Sequence, residues 1–430
     1  MMKPNFISRL PRPAMTAIGG VAGFTAYFSM YAFRKPVAAD TFAGVAPFLH
    51  GLDYKSAVII MQIAGYALSK LIGIRVVAQF GRTGRGYAII GLVSIAWAAL
   101  ILFAVAPAPW NAAFFLLNGL PLGMIWGLVF SYLEGRRESD ILGAILCASF
   151  IFSSGVMKSV GEVMVRSGIS IWWMPAAVGA VFFPLLLLSV WALESLPPPD
   201  AQDEKERMPR VPMFRAERMA MLRANWMMIF PLVAGYVMLT AIRDFRDNFA
   251  PELWQAAGYR DIAALFTESE VPVAIGVLVV LAALNRVRAN LVALQAMQVL
   301  IILGALMLAG ATASFQFGLI SGLLWMMLSG MGLYLAYTPF NAMLFDRMIA
   351  AIGKPGNSGF LIYVSDAAGY CGSVGVIVLR NAYGTSGNWL SFYVAFAYAT
   401  AAIVTGFGLL SLFVAHWRLK EGAPARVTRP

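Results

Sequence analysis

YAIIGLVSIAWAALILFAVA, residues 87–106, runs for twenty residues without a charged side chain. As a helix it covers roughly 30 Å at about 1.5 Å per residue, the thickness of a bilayer's hydrocarbon core. Lipid offers no hydrogen-bond partner to backbone N–H and C=O groups, so such a segment must satisfy them within itself, as a helix. Comparable runs predict spans at 14–37, 55–80, 87–106, 110–133, 140–165 and 169–195. A second set follows at 225–249, 269–285, 289–310, 314–346, 357–380 and 388–416. Between the sets stands LPPPDAQDEKERMPRVPMFRAERMAMLRAN, rich in proline and charge and a linker by composition. The sequence therefore predicts an all-α membrane protein of about twelve transmembrane helices in two six-helix bundles. Residues 1–195 form the first bundle, 196–224 the connector and 225–430 the second.

Composition points the same way. Of the 430 residues 60% are hydrophobic and only 12% charged, with a mean hydropathy of +0.75. A single water-soluble core stops growing at roughly 250–300 residues and cannot hide that much apolar surface. The short-period alternation of a membrane barrel is absent. Cys147 and Cys371 sit inside apolar segments and read as small buried hydrophobes rather than a disulfide. His50 and His416 belong to no cluster with metal-ligand spacing, so no metal is expected. No Ser/His/Asp, Cys/His or phosphate-loop arrangement is present, and neither an enzyme nor a cofactor is expected. The opening MMKPNFISRLPRPAMTAIGG carries basic residues ahead of an apolar run that outlasts a signal peptide, which reads as a retained first span.

The net charge of +11 is a topology signal, not a nucleic-acid surface. With the N-terminus inside, 22 of the 32 basic residues fall on inner segments. They include Arg75, Arg82, Arg85, Arg136, Arg137, the linker's Lys205 to Arg223, and Arg286, Arg288, Arg347 and Lys354. The outer loops keep Lys55, Arg166, Arg260 and Arg380. Both termini and the linker are thus expected in the cytoplasm, which requires an even number of spans.

Six basic residues remain in the membrane: Arg34, Lys35, Lys70, Lys158, Arg243 and Arg246. Each costs about 2.5–3.5 kcal/mol at a helix centre on insertion scales. Glu162 one turn after Lys158, and Asp247 one turn after Arg243, offset part of that. A surplus of interior positive charge has one economical explanation, an anion that visits. Tyr27, Tyr31 and Arg34 share a face of the first helix, as do Gln62, Tyr66 and Lys70 on the second and Ser154, Lys158 and Glu162 on the fifth. Guanidinium forks suit phosphate or carboxylate. Simpler readings stand beside this one. Arg34, Lys35, Arg243 and Arg246 are long enough to snorkel to outer headgroups. Lys158 with Glu162 is also read as a structural ion pair, and Asp366 either as a proton site or as a polar helix–helix contact.

AYFSMYAFRKP (26–36) followed by IAGYALSKLIG (63–73) resembles the organophosphate:phosphate antiporter branch of the major facilitator superfamily. That branch has a tyrosine-rich first helix ending in Arg-Lys and an aromatic residue shortly before Ser-Lys on the second, matching Arg34, Lys35 and Lys70. MLTAIRDFRDNFAPELW (238–254) places Arg243 eight residues before Pro251, as in the family's seventh helix, and GYCGS (369–373) resembles its glycine-rich eleventh. The resemblance implies that Arg34 and Arg243, related by pseudo-two-fold symmetry, bind a substrate phosphate. Two departures matter, the first favouring a non-transporting role on the same fold and the second bearing on substrate and proton role. Ala78 stands where the superfamily's inner loop has aspartate, and Ser149 where the antiporters have histidine. YAFRKP, DYKSA and GYALSKLIGI are more closely similar to an uncharacterised bacterial family of the same superfamily.

The expectation is therefore a monomeric secondary-active transporter in a bacterial inner membrane, working by alternating access on a small anionic solute. Phosphate esters, phosphate and other organic anions are the candidate solutes, with antiport and proton symport both open. Arg34, Lys35, Lys70, Arg243, Tyr31, Tyr66 and Lys158 are expected to bind it. Glu162, Asp366 and Asp247 are expected in coupling or ion pairs. A non-transporting sensor or partner subunit on the same fold is the alternative.

Overall fold

The protein was analysed as a computed structural model, which describes residues 11–48, 51–76, 84–134, 136, 138–198, 215–353, 358–382 and 389–421. His50, the Ala78–Arg82 stretch, Lys354 and the connector's 199–214 lie outside the described residues. Among the described residues, twelve long helices carry the fold. They are α1 (Arg12–Tyr31), α2 (Tyr54–Val76), α3 (Arg85–Val105), α4 (Phe114–Leu133), α5 (Ser139–Arg166) and α6 (Met174–Glu194). After the connector come α7 (Arg215–Asn248), α8 (Ala263–Leu284), α9 (Asn290–Gln316), α10 (Gly322–Ala342), α11 (Ser358–Ala382) and α12 (Trp389–Glu421). No strand occurs among the described residues. Ten of the twelve are long and apolar enough to cross a membrane; α1 and α2, of 20 and 23 residues, are the other two. The chain is an integral membrane protein.

The packing repeats. α1 lies against α5 and α6, α2 against α4, and α3 against α4 and α6. Six helices later, α7 lies against α11 and α12, α8 against α10, and α9 against α10 and α12. The two sets meet mainly where α5 packs on α8 and α2 on α11.

Backbone contact sets these junctions. A Cβ on Gly65 would fall 2.3 Å from Leu116 O, and one on Gly119 would fall 2.2 Å from Gln62 O. α2 and α4 therefore touch main chain to main chain, as small residues permit in lipid. Gly155 does the same for α5 and α8, where a Cβ would lie 2.3 Å from Phe266 O.

Several predicted spans change at their ends. The first was expected to run to 37, but α1 stops at Tyr31. Pro36 has no N–H with which to continue the helical ladder, and it opens a 3₁₀ turn, Pro36–Ala39. The carbonyls this leaves without helical partners are caught by buried amides. Asn118 Nδ2 donates to Phe33 O at 3.0 Å, and Gln62 Nε2 to Arg34 O at 3.2 Å. The helix expected to begin at 225 begins ten residues earlier, at Arg215. The expected boundary survives only as a kink at Asn225, whose φ of −119° leaves the helical region. The spans expected at 289–310 and 314–346 meet later, at Gly318 (φ 71°) and the Ser321 N-cap. The second of them breaks at Met343, and a separate helix, Leu344–Ile352, follows.

Candidate functional site

Between the two sets of helices lies a cavity of about 630 Å³ of empty space. Arg34, Lys35, Lys70, Arg243, Tyr31 and Tyr66 all line it, together with Asp247 and Asp366. The stretches FRKP, GYALSK and IRDFRD thus converge, although α1, α2 and α7 are far apart in sequence. The wall is strongly aromatic: Tyr27, Trp126, Phe150, Tyr334, Tyr337 and Tyr370 complete it.

The cations differ in how they are held. Arg34 is buried, at 7% exposure, and no carboxylate among the described residues forms an ion pair with it. Its guanidinium carbon lies 4.1 Å from the centre of the Tyr66 ring and 5.7 Å from that of Tyr31. Its Nε has no hydrogen-bond partner. Arg243 makes a similar stack, 4.3 Å from the centre of Tyr337, but also pairs with Asp244 at 2.7 Å. Ser373 holds the other oxygen of that carboxylate at 2.8 Å. Lys70 pairs with Asp366 at 3.1 Å, and Lys35 with Asp247 at 2.5 Å.

Four sequence expectations need correction. Lys158 does not pair with Glu162. It reaches Asp247 at 2.7 Å and is absent from the cavity wall. Glu162 instead pairs with Arg166 at 3.1 Å at the exposed end of α5. Gly155 lets α5 meet α8 backbone to backbone, and on the same face Ser154 and Lys158 both reach Asp247 of α7. Ser154 donates and Lys35 pairs, so one carboxylate on α7 gathers α5 and the turn that follows α1. Asp247 consequently does not serve Arg243; the adjacent Asp244 does. Lys35 and Arg246 do not snorkel. Lys35 is 2% exposed and donates to Asn248 Oδ1 at 2.8 Å. Arg246 is 2% exposed and pairs with Glu270 at 2.6 Å. Lys55, expected in an outer loop, is buried against Glu252 at 2.7 Å.

Glu270 on α8 went unnoticed in the sequence, although TESEVPVAIG does show a carboxylate entering an apolar run. Tyr334, Tyr337 and Asn341 on α10 were missed for a different reason. Tyr337 recurs three residues after Tyr334 and Asn341 four after Tyr337, a pattern ordinary core helices share.

Twelve helices in two similarly packed sets around a polar cavity form the fold of major-facilitator-type transporters. Solved structures agree. The chain matches the D-xylose-proton symporter at 15% identity and a TM-score of 0.59, covering 92% of this chain and 97% of that one. It matches a mutant of the nucleoside transporter NupG at 14% and 0.59, covering 92% and 99%. No curated protein matches the chain in sequence. The family model of DUF5690, a family of unknown function, matches residues 36–418, and the chain belongs to that family.

Proposed function

We propose that this chain is a secondary-active transporter of a small anionic solute. The solute is a phosphate ester, inorganic phosphate or another organic anion, and it is exchanged by alternating access. Two bundles, 1–195 and 225–430, rock about the cavity as repeat-built transporters do. The connector 196–224 and both termini lie on the cytoplasmic side of a bacterial inner membrane, and the protein acts as a monomer. Arg34 and Arg243 hold the anion from the two halves. Lys35 and Lys70 add charge, and Tyr31 and Tyr66 shape the pocket. Lys158 contributes indirectly, by keeping Asp247 occupied when Lys35 turns to the solute.

The observation that carries this reading is Arg34, a buried guanidinium on a cavity wall with aromatic rings beside it and no carboxylate partner among the described residues. A ring returns about 0.5–2 kcal/mol to a cation, whereas removing a charge from water costs several. An anion supplies the difference. The other intramembrane groups agree. Arg34, Lys35, Lys70, Lys158, Arg243 and Arg246 meet four carboxylates, those of Asp244, Asp247, Glu270 and Asp366, leaving two positive charges.

The test is a thermal-shift screen of purified protein against phosphate, phosphate esters, dicarboxylates and neutral sugars, followed by flux of the hits into proteoliposomes. Binding to the folded state raises its melting temperature. Stabilisation by neutral sugars alone would refute the anion, and binding without flux would refute transport.

A further inference from the structure

Asp366 on α11 directs its two carboxylate oxygens at two other helices. Oδ2 lies 3.1 Å from Lys70 Nζ on α2. Oδ1 accepts a hydrogen bond from the hydroxyl of Tyr236 on α7 at 2.6 Å. With its one proton committed to the carboxylate, that hydroxyl acts as acceptor to two groups on α10, the Tyr337 hydroxyl at 2.9 Å and Asn341 Nδ2 at 3.1 Å. The carboxylate is nine-tenths buried and lines the cavity. Its ion pair also bridges α2 and α11, one of the two main junctions between the sets of helices.

We propose that Asp366 is a proton-binding site that switches Lys70 between two partners, the carboxylate and the solute. The proposal rests on reading the cavity as a transport site. Among the three cavity carboxylates Asp366 is the one held by a single lysine and a tyrosine chain. Asp244 is fixed by Arg243 and Ser373, and Asp247 by two lysines and Ser154. In the step itself one H⁺ from cavity water adds to Oδ2, and the carboxylate charge goes from −1 to 0. No bond between heavy atoms changes, and Lys70 keeps its three N–H bonds and its charge. The neutral acid can still accept a hydrogen bond but no longer carries the negative charge that holds the ammonium, so their contact weakens and Lys70 is released. Tyr236 continues to donate to Oδ1. The freed ammonium adds a charge to the anion site and unties α2 from α11. Release of the proton to water on the other side of the membrane restores the pair.

The groups around Asp366 and its cavity set the field in which the switch works. α2 presents Tyr66 and Lys70; α7 presents Tyr236 and Arg243 with Asp244 and Asp247; α10 presents Tyr334, Tyr337 and Asn341. Tyr370 lies one turn along α11 itself, Tyr27, Tyr31, Arg34 and Lys35 stand at the α1 end, and Trp126 comes from α4.

The test uses the full chain in nanodiscs with no solute present. Infrared difference spectra are taken between neutral and mildly acidic pH, and Trp126 emission is followed in parallel. Lys70 Nζ lies 6.0 Å from the centre of the Trp126 ring, so its departure changes that emission. The expected result is a carboxylic-acid C=O component that appears on acidification and is lost in Asp366→Asn. An emission change should accompany it, lost both in Asp366→Asn and in Trp126→Phe. If Asp366→Asn does not fold, the double variant Lys70→Met with Asp366→Asn removes both charges together and serves in its place. Spectra identical with and without Asp366 overturn the proposal. So does a component that depends on Asp366 but leaves Trp126 unchanged, because Lys70 would then have stayed where it was. Since no solute is used, a protein that moves no anion can still pass this test, and one that does can fail it.

Discussion

Arg34 lies over Tyr66, 4.1 Å from guanidinium carbon to ring centre, whereas its counterpart Arg243 lies over Tyr337 at 4.3 Å and also holds Asp244. The two arginines stack alike on tyrosines but differ in counter-charge. Among the described residues the first has no carboxylate partner, and the second has one.

That difference is measurable without any ligand. Arg34→Gln removes an uncompensated buried charge and is expected to leave the melting temperature unchanged or raised. Arg243→Gln strips Asp244 of its cation and is expected to lower it. Anion binding should behave otherwise. Arg34→Lys and Arg243→Lys each replace a planar fork by a point charge and should weaken phosphate binding roughly 10- to 100-fold by calorimetry. Equal loss on Arg246→Gln, which touches Glu270 and not the cavity, would show diffuse charge rather than a clamp.

Asp247 should be the most sensitive carboxylate in the protein. Asp247→Asn leaves Lys35 and Lys158 facing a neutral amide in a buried site. A loss of about 3–5 kcal/mol is expected, the range for breaking a buried pair from one side. Glu162→Gln, at the exposed end of α5, should leave thermal unfolding close to wild type. A larger effect at Glu162 would restore the pairing read from sequence.

A further buried pair joins the two sets of helices at the end where α1 and α7 finish. There Lys55 meets Glu252, and nearby Arg380 reaches Asp53 at 3.4 Å while Asn381 donates to Ser56 Oγ at 3.0 Å. Lys55→Met alone leaves Glu252 buried and unpaired. The double variant Lys55→Met with Glu252→Leu should therefore melt higher than either single variant. Additive losses in the two singles would argue against a direct pair.

The twelve helices were legible because lipid allows so few backbone solutions that twenty apolar residues nearly dictate one. Six of the seven expected solute-binding residues line one cavity for a related reason. An ionisable group costs too much in the membrane to face lipid, so Arg34, Lys70 and Arg243 had few places to go. Pairing was not legible. Helical spacing favours Glu162 for Lys158 and Asp247 for Arg243, but tertiary packing presents Lys158 with a carboxylate 89 positions away, which no local spacing shows. Nor was the end of α1, where two side-chain amides from α2 and α4, hydrogen-bonded to each other, donate to the carbonyls of a chain that has left the helix.

Orientation follows from charge asymmetry alone. Asp203→Cys should resist a membrane-impermeant maleimide in intact cells, and Thr385→Cys should react, both in a background with Cys147 and Cys371 replaced. The reverse pattern would place the connector outside and overturn the proposed topology.

The last prediction concerns ligand charge and pH together. Two uncompensated positive charges match a dianion, so phosphate esters should bind more tightly than monoanions of the same shape. A phosphate loses its second charge near pH 6, and its affinity should decline as pH falls through that value. Release of Lys70 by Asp366 works in the opposite sense, adding positive charge to the site on acidification. A sulfate ester of the same alcohol separates the two effects, because its single negative charge does not titrate in this range. On acidification the phosphate ester should lose affinity relative to the sulfate ester, and the sulfate ester should itself bind more tightly. In Asp366→Asn the gain for the sulfate ester should vanish while the phosphate ester's relative loss persists. In Lys70→Met both esters should bind more weakly than in wild type at every pH, with the gain again absent. If all three proteins bind neutral analogues as well as either ester, the cations of the cavity are structural and the anion reading fails.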